Sequence, residues 1–348
     1  MNFRSDNVTG VAPEIMAALA AANAGAVTSY GDDPITERLA RRFSELFERE
    51  VAVFPVATGT AANSLALATM VPPYGVIYGH KDAHIQVDEC GAPEFFSGGA
   101  KLLMLEGTDG KISAGDLEAV VAVGGKGGVH HAQPAAVSLT QATEAGTIYR
   151  VEEIGEIAAV CRRYGLGLHM DGSRFANAVA ALNRSPAELT WKAGVDALSF
   201  GATKNGALAA EAVVFFDPAK AADFAFRRKR GGHLFSKMRF LSAQLEAYLA
   251  GGLWLRNARH ANAMAARLSD GLERLPGARL RHPTEANEIF VELPEAIIRG
   301  LLDGGFEFYR WGGEASACVR LVTAFNTEAG AVEGLLAAAR RLAGGAGA

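Results

Sequence analysis

Three short stretches of this 348-residue chain carry residues able to do chemistry together: Thr58-Gly59-Thr60, His169–Arg174 and Thr203-Lys204. In ATGTAAN, small residues stand where a helix begins, so free backbone N–H groups and two hydroxyls can hold a phosphate. The plain alternative is an ordinary threonine N-cap. Asp171 follows the apolar strand Leu166–Met170 directly, with Arg174 just beyond. A carboxylate at a strand end can pair with a cationic ring nitrogen, which lowers its own pKa and keeps the ring protonated. Otherwise Asp171 and Arg174 simply pair and cap a helix. Lys204 ends another apolar strand and is followed by Asn-Gly. Desolvation there lowers an amine from its usual ~10.4 and frees it as a nucleophile, unless the side chain snorkels to solvent.

A phosphate cradle, an acid for a pyridinium and a strand-end lysine are together the parts needed to hold pyridoxal phosphate. Other phosphate binders fail on inspection: the chain has no GxxxxGK[ST], and no GxGxxG between a strand and a helix. His130 and His131 are adjacent and no HExxH occurs, which leaves a zinc site without support. The net charge of −4 and the lack of a long basic run argue against nucleic acid. RRKRGG at Arg227–Gly232 reads as a solvated turn or a phosphate-facing loop.

These residues need a scaffold that gathers strand ends. The chain is 49% hydrophobic and 21% charged, and its 40 glycines exceed the norm of about 7%. It is long enough for two domains. Asp33-Pro34 opens a helix with Ile35, Leu39, Phe43, Leu46 and Phe47 on one face and the pairs Glu37/Arg41 and Glu45/Arg49 outside it. The order strand, turn, helix then repeats. VAVFP, Ala135–Leu139, LGLHM, DALSF and AAEAVVFF are apolar runs without strict alternation, separated by helices. This predicts an α/β fold with a mostly parallel sheet covered on both faces. Ligands then bind beyond the carboxyl ends of the strands. From about residue 240 the pattern changes: Phe240–Leu268 is helical with a break at Gly251-Gly252. NEIFVEL and ACVRLVTAF follow as strands flanking the turn-rich segment Gly304–Gly313. We expect a large domain with an N-terminal arm over residues 1–250 and a small α+β domain over 251–348, ending in a flexible tail, Gly344–Ala348. Cys90, Cys161 and Cys318 show no paired spacing, the N-terminus lacks an apolar signal region, and no apolar stretch reaches transmembrane length. A soluble, cytoplasmic protein with no membrane partner is expected.

The chain resembles the low-specificity L-threonine aldolases, pyridoxal-phosphate enzymes of the aspartate-aminotransferase (type I) fold. The matching pieces are FRSDNVT, SYGDDP at Ser29–Pro34, ATGTAAN, DAH at Asp82–His84, HMDGSR, the strand ending in ATK, and VRLVTAF. They keep the family's order and span nearly the whole chain. The resemblance implies that Lys204 forms the Schiff base with the cofactor, Asp171 pairs with the pyridine nitrogen and His84 stacks on the ring. Gly59, Thr60 and Thr203 would hold the phosphate. Ser5, Arg174 and Arg320 would bind the substrate carboxylate, and Tyr30 would reach a neighbouring subunit's site in a homodimer or homotetramer. Two segments depart from the family. TQATEAG (Thr140–Gly146) replaces Glu-Asn-Thr-His-Asn, with Thr143 at the place of the family histidine. GGHLFSKMR (Gly231–Arg239) replaces the GGGMRQ phosphate loop, with Lys237 or Arg239 as substitutes.

The implied reaction is reversible retro-aldol cleavage of a β-hydroxy-α-amino acid to glycine and an aldehyde. His84 is the first candidate for the base that takes the β-hydroxyl proton, with a bound water, His130 or His131 behind it. His131 reads better as an exposed residue beside Gly127-Gly128. A β-eliminating lyase on the same fold is the alternative reaction. A non-catalytic binder of the cofactor is the alternative class; such a binder has no use for Arg320.

Overall fold

The computed structural model describes residues 1–345. A seven-stranded sheet forms its centre: β1 (Ala52–Val56), β2 (Gly75–His80), β3 (Lys101–Leu105), β4 (Gln133–Thr140), β5 (Gly167–Gly172), β6 (Ala197–Gly201) and β7 (Glu211–Phe215). Its spatial order is β1-β7-β6-β5-β4-β2-β3. β7 runs antiparallel to both of its neighbours, and the other pairings are parallel. Every residue of β2, β6 and β7 is buried, which is why these strands read as unbroken apolar runs.

A smaller four-stranded antiparallel sheet holds β8 (Arg279–Leu280), β9 (Glu288–Glu292), β10 (Tyr309–Arg310) and β11 (Cys318–Val322), in the order β10-β11-β9-β8. The helix Glu295–Asp303 lies between β9 and the turn-rich segment, and β10 lies within that segment. The helix Leu253–Glu273 serves both bodies: Leu253, Trp254 and Ala258 join the large core, whereas Ala265, Leu268 and Leu272 join the second. Its break from Arg239–Leu249 falls at Gly251 and Gly252, both at positive φ (57° and 70°), a region that favours glycine. The final helix, Ala329–Gly345, takes in Gly344 and Gly345; the rest of the expected tail, 346–348, lies outside the described residues.

Local rules place the first helix as expected. Asp33 Oδ1 accepts from the N–H groups of Ile35 and Thr36 at 3.0 Å each, and Pro34 opens Pro34–Leu46. Leu39, Phe43 and Phe47 are buried, and Glu37 pairs with Arg41. The second expected pair does not form. The helix ends at Leu46, so Arg49 lies beyond the turn that would bring it to Glu45, and it sits over the Trp191 ring instead (4.6 Å). The N-terminal arm is stitched across the molecule. Phe3 packs in the second core, its N–H donates to Glu307 O (2.7 Å), and Val322 N–H donates to Phe3 O (2.8 Å). No helix among the described residues is long and apolar enough to cross a membrane.

Candidate active site

The carboxyl ends of β2, β4, β5 and β6 open onto one cavity of about 940 Å³, closed from above by the arm and the small sheet. His84 follows β2, Glu144 follows β4, and Lys204 follows β6. Ser5 comes from the arm, Arg174 from the turn after β5, and Arg320 from β11.

Asp171, at the end of β5, is buried, and its Oδ1 accepts from Ser173 N (3.0 Å) and Oγ (2.7 Å). Its Oδ2 accepts from Asn63 Nδ2 at 2.8 Å. Burial alone would raise its pKa, but the Ser173 hydrogen bonds and the charges of His84 and Lys204 hold the carboxyl below its usual range. The expected alternative, an Asp171–Arg174 pair, is absent among the described residues because Arg174 is held elsewhere.

Lys204 lies in a 3₁₀ turn, Thr203–Asn205, that is pinned from below. Asn205 Nδ2 donates to Tyr248 Oη (2.7 Å) and Trp254 O (2.8 Å), while Asn257 Nδ2 donates to Asn205 O (2.9 Å). Gly206 follows at φ 116°, where a Cβ would meet Asn257 Nδ2 at 3.0 Å. On the sheet side, buried Glu211 accepts from Ala202 N–H at 2.9 Å. Burial pushes the Glu211 carboxyl from 4.5 up to about 7, against hydrogen bonds from Thr203 and Ala202 and the Lys204 charge. The folded state therefore holds this proton more tightly than the unfolded chain. Stability from the group is full below the unfolded pKa and is lost as pH rises through the folded one. Between pH 5 and 8 the chain should lose on the order of 2–3 kcal/mol from this source. Glu211→Gln should lose none of it; melting curves that fall in parallel for both proteins would contradict the assignment.

The arginines carry internal partners that sequence reading missed. The Arg174 side chain is only 4% exposed; its Nε and Nη2 donate to Asp6 (2.8 and 3.0 Å), and its Nη1 lies 3.0 Å from Glu288 Oε2. Arg320, 16% exposed, donates from Nε and Nη2 to Glu288 Oε1 (3.1 and 2.7 Å). Buried Glu288 thus bridges both guanidiniums. Arg174 lines the cavity with its forks already engaged, whereas Arg320, which also lines it, has no hydrogen bond from Nη1 among the described residues. Ser5 caps the Asp6–Val8 turn, accepting from Asn7 N–H at 3.1 Å.

His84 Nδ1 lies 2.9 Å from Glu89 Oε1, and Asn63 Nδ2 donates to the same oxygen at 2.8 Å. The Glu89 hydrogen bond, opposed by burial and aided by Asp171 and Glu144, raises the His84 pKa, so its imidazole keeps a proton to higher pH. The ring nitrogen facing Glu89 is thereby engaged in a hydrogen bond. His130 and His131 are exposed in the turn before β4, at the amino ends of the parallel strands, and cannot reach the cavity.

The groups around the strand ends fit pyridoxal phosphate. Gly59 opens the Gly59–Met70 helix, and a Cβ there would meet only Ser173 Oγ at 3.8 Å, which leaves a cradle beside the first-turn N–H groups of Gly59 and Thr60. The Thr203 hydroxyl, in the turn after β6, accepts from Ala210 N–H at 3.2 Å. Lys237 is exposed, and Arg239 donates to Ala24 O and Gly25 O (3.4 and 3.2 Å), so neither expected substitute faces this cradle within the chain. From the same loop, His233 Nδ1 accepts from Ala57 N–H at 3.2 Å, two residues before Gly59. Within RRKRGG, Arg227 and Arg228 each keep a buried Nε without a partner, and Arg228 lies beside β1. Arg228 donates to Pro55 O at 3.4 Å, and burial pushes its pKa down to about 10. Tyr30 is 47% exposed, lies under Lys229 Nζ (4.9 Å to the ring centroid) and is not among the residues lining this cavity.

Residues 2–296 match the family model described as Beta-eliminating lyase. The low specificity L-threonine aldolase of Pseudomonas sp. (strain NCIMB 10558) is 45% identical over 96% of this chain and 96% of its own length. The protein of that name from Pseudomonas aeruginosa is 46% identical over 94% of this chain and 93% of its own. Among solved structures, a threonine aldolase of Leishmania major superposes with a TM-score of 0.92 at 29% identity, covering 98% of this chain and 99% of that one.

Proposed function

This chain belongs to the beta-eliminating lyase family, and within it to the low-specificity L-threonine aldolases; we propose that it cleaves L-threonine, L-allo-threonine and related β-hydroxy-α-amino acids, phenylserine among them, reversibly to glycine and an aldehyde. One observation carries the reading: Asp171 is buried and anionic at the end of β5, and Lys204, just beyond the neighbouring β6, lines a cavity that also holds Arg320 and Ser5 while its charge helps hold the Asp171 carboxyl down. The cofactor is pyridoxal phosphate, which when bound draws off the electron pair left at the α-carbon.

The chain's residues supply the rest. Asp171 holds a proton at the cofactor's ring nitrogen. Lys204 would hold the cofactor through its amine. Gly59, Thr60 and Thr203, with Arg228, take the phosphate. Arg320 and Ser5 meet the substrate carboxylate, with Arg174 behind them, so that the breaking Cα–Cβ bond is fixed in direction. His84 covers the ring and donates a hydrogen bond.

We also read the chain as a homo-oligomer, a tetramer in the fullest form, with shared sites. Tyr30 and Lys237 are solvent-exposed outside their own cavity, which suits them to a neighbour's. A cytoplasmic location agrees with Cys90, Cys161 and Cys318 all being free.

Product analysis with L-threonine, L-allo-threonine and L-phenylserine tests the reading. Glycine with the matching aldehyde is the expected result. Pyruvate or 2-oxobutyrate with ammonia would overturn it in favour of an eliminating lyase.

A further inference from the structure

We propose that Glu144 is the catalytic residue that takes the β-hydroxyl proton, in the place where the family's histidine is missing. The proposal rests on the aldolase reading above and names a group inside the same cavity. Thr143 holds the aligned position, but its hydroxyl is locked in the turn after β4. It is 2.8 Å from Thr147 Oγ1 and accepts from the N–H groups of Ala145 and Thr147 at 3.2 Å each. That turn is closed by Thr143 N–H donating to Thr147 O (2.9 Å) and Gly146 N–H donating to Thr143 O (2.9 Å). The lock turns the next side chain, Glu144, into the cavity beside Ser5, His84, Arg174 and Lys204.

No hydrogen-bond donor among the described residues supports the Glu144 carboxylate; it faces only charges. Burial raises its pKa most. Glu288 and Asp171 push the same way, and Lys204 and Arg174 oppose them. A carboxylate with a raised pKa is a stronger base nearer neutral pH. Of the other carboxylates nearby, Glu89 accepts from Asn63 and pairs with His84, Asp171 accepts from Ser173 and Asn63, Asp6 from Arg174 and Glu288 Oε1 from Arg320, while Asp82 and Asp88 lie exposed at the cavity's rim. His84, whose Nδ1 is engaged with Glu89 at 2.9 Å, complements this role, since its ring borders the same cavity and can hydrogen-bond the hydroxyl oxygen that Glu144 deprotonates.

The step balances within the site. The O–H bond of the substrate breaks and its proton moves to a Glu144 oxygen, while the O–H pair becomes the second bond of the aldehyde carbonyl. The Cα–Cβ bond breaks, and its electrons stay with Cα. Glu144 returns its proton to solvent, and Cα takes one from solvent by way of the Lys204 amine in the same cavity, so no proton is consumed overall.

The test compares the cofactor-loaded wild-type enzyme with Glu144→Gln and Glu144→Asp. For Glu144→Gln, kcat for L-threonine cleavage should fall about 10²–10⁴-fold and the acidic limb of the kcat/KM profile should vanish. Exchange of the glycine α-proton with solvent deuterium involves no β-hydroxyl and should stay within about 3-fold of wild type. Glu144→Asp should keep that exchange and part of the cleavage; it carries the test if Glu144→Gln does not fold. An infrared titration of the cofactor-free chain should show a protonated-carboxyl band that Glu144→Gln lacks. Cleavage by Glu144→Gln at the wild-type rate and pH profile overturns the proposal. So does an equal loss of cleavage and glycine exchange, which would mark a structural role. If the wild-type enzyme itself yields no glycine and aldehyde, the aldolase reading fails instead.

Discussion

Lys204→Ala should lower amino-acid cleavage to background, a fall on the order of 10⁴–10⁶-fold, the scale on which deleting a covalent nucleophile acts. The same protein should lose the visible absorbance of the bound cofactor on desalting. The effect is large because the site offers no substitute amine. Lys81 also borders the cavity, but its Nζ is 2.5 Å from Glu106, on the outer rim. Lys237 is exposed, and Lys229 lies against Tyr30. Lys204→Arg should fail as completely, because a guanidinium does not release its proton and cannot form the covalent link. The scaffold should survive both changes: the turn is held by Asn205, Asn257 and Glu211 through atoms other than the lysine amine. Borohydride reduction of the wild-type protein followed by peptide mapping should label Lys204. A label on Lys81 or Lys237, or cleavage retained by Lys204→Ala, would remove the centre of the proposed mechanism.

What made Lys204 and Asp171 legible is that each sits where a buried strand stops. A continuous apolar run ending in one charged residue is a pattern along the chain, and the open-sheet rule converts it into a place in space. Gly59 and Thr60 were legible for the same reason, as the start of a helix after such a strand. The carboxylates were not. Glu288 stands in NEIFVEL, where it reads as the polar edge of a strand, and Asp6 reads as a loop residue; only folding brings both to Arg174. Arg228 is one of four basic residues in a row, and nothing local says which points inward. The Glu45/Arg49 pair failed through an element boundary: a helix one turn longer would have made it. Glu144 went unread because the comparison by position stopped at Thr143, whereas the turn presents the neighbouring side chain.

Arg174→Ala should destabilise the chain by about 3–5 kcal/mol, measured by urea unfolding of the cofactor-free protein at fixed concentration and pH 7. The reason is what remains behind. Asp6 would keep only Asn287 Nδ2 at 3.0 Å and the Ser5 hydroxyl at 3.5 Å, and Glu288 only Arg320. Both carboxylates are 1% exposed, so each would be a buried anion short of its countercharge. The pH dependence follows with a definite sign. Burial alone would raise the Asp6 pKa, but the charges of Arg174 and Lys204 and the hydrogen bonds from Arg174 and Asn287 hold it below 3.8. A depressed folded pKa contributes stability that is present above the unfolded value and lost as pH falls. Without Arg174, burial dominates and the Asp6 pKa rises, so the gap between the two proteins should be widest near neutrality and narrow below about pH 5. Adding Asp6→Asn to Arg174→Ala should recover part of the loss, because it removes the stranded charge; the two changes should be coupled by more than about 1 kcal/mol. A loss under about 1 kcal/mol for Arg174→Ala would return Arg174 to the role of a plain substrate contact. The larger loss would mean that the arm and the small sheet are clamped through Arg174 over the cavity, leaving Arg320 as the arginine free to turn its edge to a substrate carboxylate.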